Sequence, residues 1–312
     1  MSARLSVVIP FLNEGDELQT TLSQVRDTAG DNVDIIVVND ASTDGIDYHS
    51  VAAAFGATYI EHKVRKGSGA SKQEGIMFSK TPYFIVFDAH MRFYDKQWWI
   101  NLCDCLEDNP NAIYCLKCKP WSAETKSEMD IPAHGGASAE MFSDDVLSFL
   151  NLKWLKVQKT SENVSKIPCV LGACYAASLD YWKKIRGFEG LEGYGCEEIF
   201  ISMKAWMEGG GCYLTNNITV GHLFRKEFPY VVGKNESMLN KMYIADMLLP
   251  DEFKVYIFNN VKRLQYMTYR AYLSKDKELL AKTKLYYQSI FQKGGFKKFI
   301  ELNEKIKSNN SH

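Results

Sequence analysis

No uninterrupted apolar run in these 312 residues approaches the ~18 that a membrane-crossing helix needs, which excludes a span of that kind. The start, Met1-Ser2-Ala3-Arg4, runs straight into a short apolar segment ending at Pro10 and lacks the pattern of a secretory leader. The expectation is a cytoplasmic chain, with peripheral attachment at the membrane surface as a variant, and eight reduced cysteines. Neither sign of charge is in excess. A net charge of -1 gives no global reason to expect nucleic acid or a membrane as partner. Internal repeats and low-complexity tracts are also missing. What is present, 46% hydrophobic and 24% charged residues, is the balance of a globular protein. The length suits one large α/β domain with an appendage.

The charge is uneven. Residues 251–312 hold 13 Lys+Arg against 6 Asp+Glu, and the remainder holds 24 against 32. The cysteines offer one tempting quartet, Cys103/Cys105 with Cys115/Cys118. Cys103 and Cys105 fall in a helical pattern from Asp95 to Asp108, however, where residues two apart diverge by about 200°. Free thiols are expected rather than zinc.

Short apolar strands alternate with amphipathic helices through the first 120 residues. Strands are expected at Leu5–Pro10, Val33–Val38, Thr58–Glu61 and Tyr83–Phe87, with helices between them. This rhythm predicts a parallel sheet with helices on both faces, and ligands at the carboxyl ends of the strands. The stretch Ser122–Lys166 is polar and weakly periodic. It reads as a long, partly helical excursion over the sheet. A strand over Cys169–Ala176, a helix over Glu197–Met207 and a strand over Cys212–Val220 follow. Beyond Phe228 the pattern is helical, with one helix through Val255–Ala271 and another over Leu279–Phe291.

Asp88-Ala89-His90 directly follows the strand Tyr83–Phe87. Residues i and i+2 of an extended segment point to one side, so a carboxylate and an imidazole reach a common ion. A mixed oxygen and nitrogen pair suits Mn²⁺ or a similar cation. Alone, the tripeptide reads equally as a cap or turn. Asn13-Glu14 follows the first strand, Asp40 the second, and Arg65-Lys66-Gly67 precedes a helix where it can meet phosphate oxygens. Each of these also reads as a cap or a solvated loop. His222 follows Ile218–Val220, with Gly221 permitting close backbone approach. Glu197-Glu198 opens a helix, as acids favoured by its dipole or as a general base with an acceptor-orienting partner. Trp98-Trp99 and Trp121 read as core or as sugar-stacking platforms.

The segments Val7–Glu14 (VVIPFLNE) and Ile36–Asp44 (IVVNDASTD), with Asp88-Ala89-His90, resemble the nucleotide-sugar half of GT-A fold glycosyltransferases, the inverting family 2 above all. The block Gly193–Arg225 is similar to polypeptide N-acetylgalactosaminyltransferases. These share an Asp-x-His motif, a Gly-Gly-Glu helix start, a Trp one turn before Gly-Gly and a Val-Gly-His-x-Phe-Arg ending. The resemblance covers roughly residues 5–230.

It implies an α/β GT-A fold, a Rossmann-like, mostly parallel sheet flanked by helices, with a helical C-terminal extension. The catalytic domain is expected at 1–230, its nucleotide-sugar half at 1–120 and its acceptor half at 121–230. A basic helical extension is expected at 231–312. The resemblance further implies a nucleotide-sugar donor, UDP-linked, and Mn²⁺ or Mg²⁺ held by Asp88, His90 and His222. Pro10 and Asp40 would line the uridine pocket, Arg65 would approach the nucleotide and Arg225 would steady the diphosphate. Asn13, Glu14 and Gly67 complete the expected donor set. Inverting enzymes commonly carry an Asp after the conserved Glu, and the retaining N-acetylgalactosaminyl group carries Asn. Glu198 can take a proton, which favours inversion, whereas Cys196 stands where that group has Gly.

A retaining N-acetylgalactosaminyltransferase-like enzyme is the first alternative. A protein that binds nucleic acid with a modified base, or a glycosyltransferase acting on DNA, is the second. A nucleotidyltransferase is disfavoured because Phe11–Glu14 stands where a GxGTR-like loop would be. No lectin-like module is read at the C-terminus. The basic tail, interleaved with aromatics, reads as a solvated helical face or as the footprint of an anionic acceptor, either a lipid-linked phosphate or nucleic acid.

Overall fold

The computed structural model describes residues 3–225, 229–231, 233 and 236–309. The expected onset of the helical region at Phe228 lies outside them. The first part of the chain forms β1 (Leu5–Phe11), α1 (Glu17–Ala29), β2 (Val33–Asn39), α2 (Tyr48–Ala54), β3 (Thr58–Glu61), α3 (Ser68–Phe78) and β4 (Tyr83–Phe87). These four strands pair in parallel in the order β4-β1-β2-β3. Leu5, Val7, Val8 and Ile9 of β1 are fully buried, because helices cover both faces of the sheet. Leu18, Leu22, Val25 and Ala29 recur at helical spacing and give α1 its buried stripe.

The chain continues through β5 (Met91–Phe93), α4 (Trp98–Asp108), β6 (Ile113–Ser122), β7 (Ser127–Glu128), β8 (His134–Ala139), β9 (Leu152–Lys156) and β10 (Val164–Ile167). β11 (Cys174–Ser178), α5 (Leu179–Lys184), α6 (Glu197–Glu208) and β12 (Cys212–Leu223) follow. The full sheet order is β10-β12-β6-β11-β4-β1-β2-β3. Directions mix in this half. β11 runs antiparallel to β4 and β6, whereas β6 and β12 are parallel. β5 lies antiparallel on β12, with Met91 opposite His222.

Three expectations change in this half. The stretch 122–166 holds four short strands, β7 to β10, and no helix among the described residues. The reason is pairing: β7 and β8 lie antiparallel on β6, β9 on β8, and β10 on β12. The strand expected at Cys169–Ala176 forms only from Cys174. β12 extends to Leu223, so His222 lies within a strand instead of after one. All eight cysteines are outside any disulfide; Cys103 is buried in α4 and Cys105 is partly exposed.

The C-terminal helices are α7 (Glu236–Leu248), α8 (Asp251–Asn260), α9 (Arg263–Lys275), α10 (Lys277–Ile290) and α11 (Gly295–Asn309). The single helix expected through Val255–Ala271 is two, because Val261 and Lys262 both adopt extended ψ values of 154° and 145°. These helices dock on the sheet half. Asn303 of α11 accepts from the Ala139 N–H at 2.7 Å and donates to its carbonyl at 2.9 Å, as a neighbouring strand would. The fully buried Lys204 of α6 donates to the Gly187 carbonyl and lies 3.8 Å from the Phe200 ring centre. Burial pushes its pKa well below the ordinary lysine range, against the pull of Glu189.

Candidate active site

A cavity of about 570 Å³ opens at the carboxyl ends of β1 and β4, beside the end of β12 and the N-terminus of α6. Pro10, Glu14, Asp40, Arg65, Asp88 and Arg225 line it, together with His90, His222, Glu197 and Glu198. Asn13 and Gly67 are not among the lining residues.

Asp88, His90 and His222 meet at the centre, one ligand atom from each lying within 4.8 Å of the others. Pairing of β5 with β12 brings them together, although 134 residues separate Asp88 from His222. Gly221 allows that approach, since a Cβ there would stand 2.3 Å from the Tyr94 hydroxyl oxygen. Thr21 of α1 fixes the turn: its hydroxyl donates to the Ala89 carbonyl at 2.8 Å and accepts from the Met91 N–H at 2.9 Å.

His222 Nε2 lies 3.0 Å from Asp88 Oδ2. Burial would raise the Asp88 pKa, but the bond to His222 and the charges of His222, His90 and Lys72 outweigh it and bring it to about 2. Burial also lowers the His222 pKa, against the pull of Asp88. An ionised carboxylate thus faces an imidazole held toward its neutral form, the protonation states in which both groups ligate metals. His222 Nδ1 is buried with no partner among the described residues. This mixed oxygen and nitrogen set, converging in a cavity, fits a divalent ion of the Mn²⁺ type.

Glu14 sits beside this cluster. Its Oε2 contacts His90 Nδ1 at 3.1 Å and Arg225 Nη2 at 2.5 Å. Burial raises its pKa, yet His90 and Arg225 lower it further than burial lifts it.

The acids of α6 form the opposite wall. Glu198 Oε1 lies 3.2 Å from Lys72 Nζ, a buried ammonium reaching up from α3. Burial disfavours the Lys72 charge, but Tyr175, Glu198, Glu197 and Asp88 raise its pKa well above the ordinary value. Glu197 is buried, and burial followed by the neighbouring Glu198 raises its pKa. Its Oε1 has no partner among the described residues. Cys196 precedes the helix with φ 71° and ψ 11°, a left-handed conformation that glycine adopts most easily.

The other expected donor residues are largely engaged within the protein. Asp40 Oδ1 accepts from the Lys66 N–H at 2.8 Å and contacts His62 Nδ1 at 2.7 Å, and its Oδ2 accepts from the Gly67 N–H at 2.8 Å. Asp40 therefore fixes the 65–67 loop at the cavity edge. Asn13 accepts from the Thr43 N–H at 2.7 Å and donates to the Pro229 carbonyl at 3.4 Å. Arg65 donates to the Val231 carbonyl at 2.5 Å and lies 5.4 Å from the Tyr230 ring centre.

Trp98 is buried against Phe87 and Phe93, and Trp121 stacks with Arg92, so neither faces the cavity. The tryptophan that does is Trp154, which packs with Phe224 at 5.2 Å beside His222. Its signal was faint, one aromatic in the short strand LKWLK. Lys72 was legible only as a charged residue among the small residues of α3. Thr21 carried no signal at all.

Residues 6–159 match the family model described as Glycosyl transferase family 2. Polypeptide N-acetylgalactosaminyltransferase 4 of Caenorhabditis elegans is 23% identical over 85% of this chain and 46% of its own length. Polypeptide N-acetylgalactosaminyltransferase 11 of Xenopus tropicalis is 25% identical over 80% of this chain and 43% of its own. The chain thus spans less than half the length of these relatives. Among solved structures, GalNAc-T7 with UDP, GalNAc and Mn²⁺ superposes with a TM-score of 0.68 at 20% identity, over 81% of this chain and 50% of that one. S. aureus TarS in complex with UDP-GlcNAc gives 0.54 at 11% identity, over 97% of this chain and 92% of that one. The protein therefore has a GT-A fold, its residues 6–159 match the family 2 glycosyltransferase model, and the chain is similar to the polypeptide N-acetylgalactosaminyltransferases.

Proposed function

We propose that the protein transfers a sugar from a nucleoside diphosphate donor, UDP-linked, to an acceptor hydroxyl with inversion, in a site that requires a divalent metal. The observation that carries this reading is the convergence of Asp88, His90 and His222 in one cavity with the acids Glu197 and Glu198. Solved neighbours of the same fold contain UDP with Mn²⁺, or UDP-GlcNAc, in keeping with such a donor.

Asp88, His90 and His222 would hold the ion, whose chemistry is to neutralise charge on the departing diphosphate. Arg225, beside Glu14 at the rim, adds positive charge where the phosphates would lie. Across the cavity, Glu198 accepts the proton of the attacking hydroxyl at a carboxylate oxygen. Lys72 holds that carboxylate in place from below. Glu197, with an unpartnered buried oxygen, is set to accept a hydrogen bond from a substrate hydroxyl. Trp154 and Phe224 present an apolar wall on which a sugar ring can lie. Residues 1–230 form the catalytic unit and 231–312 an extension that braces it.

The acceptor reading draws on the basic tail. Lys254 and Lys284 pair with Asp246, Lys275 with Glu192, Lys282 with Glu278 and Lys297 with Glu301, so much of the charge serves the fold. The outer face of α9 differs. Arg263 and Arg270 flank exposed Leu264 and Met267 there, and α9 contains no acid. That face favours a lipid-linked phosphate at a membrane surface over nucleic acid, because phosphates alone give the leucine and methionine nothing to contact.

The test is sugar release from UDP-hexoses with Mn²⁺ and with EDTA, followed by the anomeric configuration of the product. Metal-dependent turnover with inversion supports the reading. A retained configuration removes Glu198 as base, and metal-independent turnover removes the ion.

A further inference from the structure

Glu14 belongs by sequence to the donor-binding set, yet its contacts point elsewhere. Its side chain is 6% exposed, and one oxygen, Oε2, meets both His90 Nδ1 at 3.1 Å and Arg225 Nη2 at 2.5 Å. Three segments far apart in the chain converge on that single atom: the end of β1, the turn after β4 and the residue two past β12.

We infer that Glu14 is a positioning residue for the ion site, which fixes the nitrogen His90 offers and holds Arg225 at the edge of that site. The inference rests on the ion reading of Asp88, His90 and His222. A neutral imidazole carries one N–H and one lone pair. An ionised carboxylate only accepts, so its contact with Nδ1 requires the N–H to be there. The lone pair is then left on Nε2, the nitrogen directed away from Glu14. A carboxylate behind a ligating histidine fixes ring and tautomer together and raises the basicity of the free nitrogen.

His222 is arranged differently. Its Nε2 already faces Asp88, and its Nδ1 is buried without a partner among the described residues. Of the two imidazoles, His90 is therefore the one oriented by an outside carboxylate. The guanidinium at the same oxygen balances the buried negative charge, and Glu14 in turn keeps Arg225 near the ligands. Glu14 thus serves the site through two other side chains.

Two measurements on the full chain test this. The first uses metal-free wild type at pH 8 with ¹⁵N-labelled histidine. Long-range ¹H–¹⁵N correlation reports which nitrogen of His90 carries the proton. The Nδ1–H tautomer is expected, and an Nε2–H tautomer overturns the proposal without any variant. The second is Mn²⁺ binding by calorimetry in the absence of nucleotide. Glu14→Leu should weaken Mn²⁺ by about 10–100-fold, and Glu14→Gln, which keeps an accepting oxygen, should restore most of the affinity. A folded Glu14→Leu protein that binds Mn²⁺ like wild type overturns the positioning role alone. Wild type that takes up no Mn²⁺ overturns the ion reading, and the role of Glu14 with it.

Discussion

Gly172 offers the sharpest handle on the proposed base. A Cβ placed on it would stand 2.6 Å from Glu198 Oε1 and 3.0 Å from Cδ, where ordinary contact begins near 3.4 Å. Gly172→Ala must therefore drive the Glu198 carboxylate back by about 0.8 Å or more. The three nearest atoms to that Cβ all belong to the Glu198 side chain, and the Gly172 backbone is not left-handed, so the chain itself accepts alanine. Overpacking of this kind costs about 1 kcal/mol of stability when a side-chain end is free to give. Its effect on chemistry is larger, because a reacting group misplaced by ~1 Å costs on the order of 10²-fold.

The assay is initial-rate transfer with Mn²⁺ and UDP-sugar, beside calorimetric UDP binding. We expect kcat to fall by about 10²-fold while donor affinity and Mn²⁺ affinity hold. Glu198→Gln should lose about 10²–10⁴-fold. The double variant should be no slower than Glu198→Gln alone, since both act through one carboxylate. Near-normal turnover of Gly172→Ala, or losses that multiply in the double variant, would refute the assignment of Glu198.

Three further outcomes are expected. Asp88→Ala removes the carboxylate bonded to His222 at 3.0 Å and should abolish Mn²⁺ uptake measured by electron paramagnetic resonance; retained uptake removes Asp88 from the ligand set. Asn303→Leu leaves the Ala139 N–H and carbonyl buried and unpaired, a loss of about 2–5 kcal/mol in denaturant unfolding, and a loss below about 1 kcal/mol would mean water or rearrangement replaces the amide. Asp246 is the pH-sensitive brace of the extension. Burial raises its pKa, but Lys254, Lys284 and Tyr269 bring it below the ordinary value. A depressed folded-state pKa contributes stability that is present above the unfolded value of ~3.9 and lost as pH falls through the lower, folded one. Asp246→Asn should therefore be less stable than wild type at pH 7, with the gap closing in acid below about pH 4; a gap unchanged at pH 3 would contradict the ion-pair account.

Local chemistry was enough to read the first half of the fold. Tyr83–Phe87 and Thr58–Glu61 form strands with the bounds their apolar and β-branched runs imply, because both lie within a sheet whose alternation with helices repeats. Segment 122–166 failed for a physical reason. Its strands are short, and what makes them strands is pairing with β6, with β12 and with one another. The helix break at Val261-Lys262 was likewise invisible, since neither residue is a breaker by type.

Sequence alone determined the chemical inventory: a carboxylate and imidazole two residues apart after a strand, adjacent acids opening a helix, and a histidine with a phenylalanine and an arginine near the end of a long strand. These signals are local, so spacing carries them. Tertiary structure decided who touches whom. Antiparallel pairing of β5 on β12 sets His222 against Asp88. The meeting of β1, β4 and β12 turns Glu14 from a strand-end acid into the shared partner of His90 and Arg225. Packing of α3 under α6 places Lys72 beneath Glu198. Each is a contact between residues tens to hundreds of positions apart, fixed by strand register and helix docking, which no window along the chain contains.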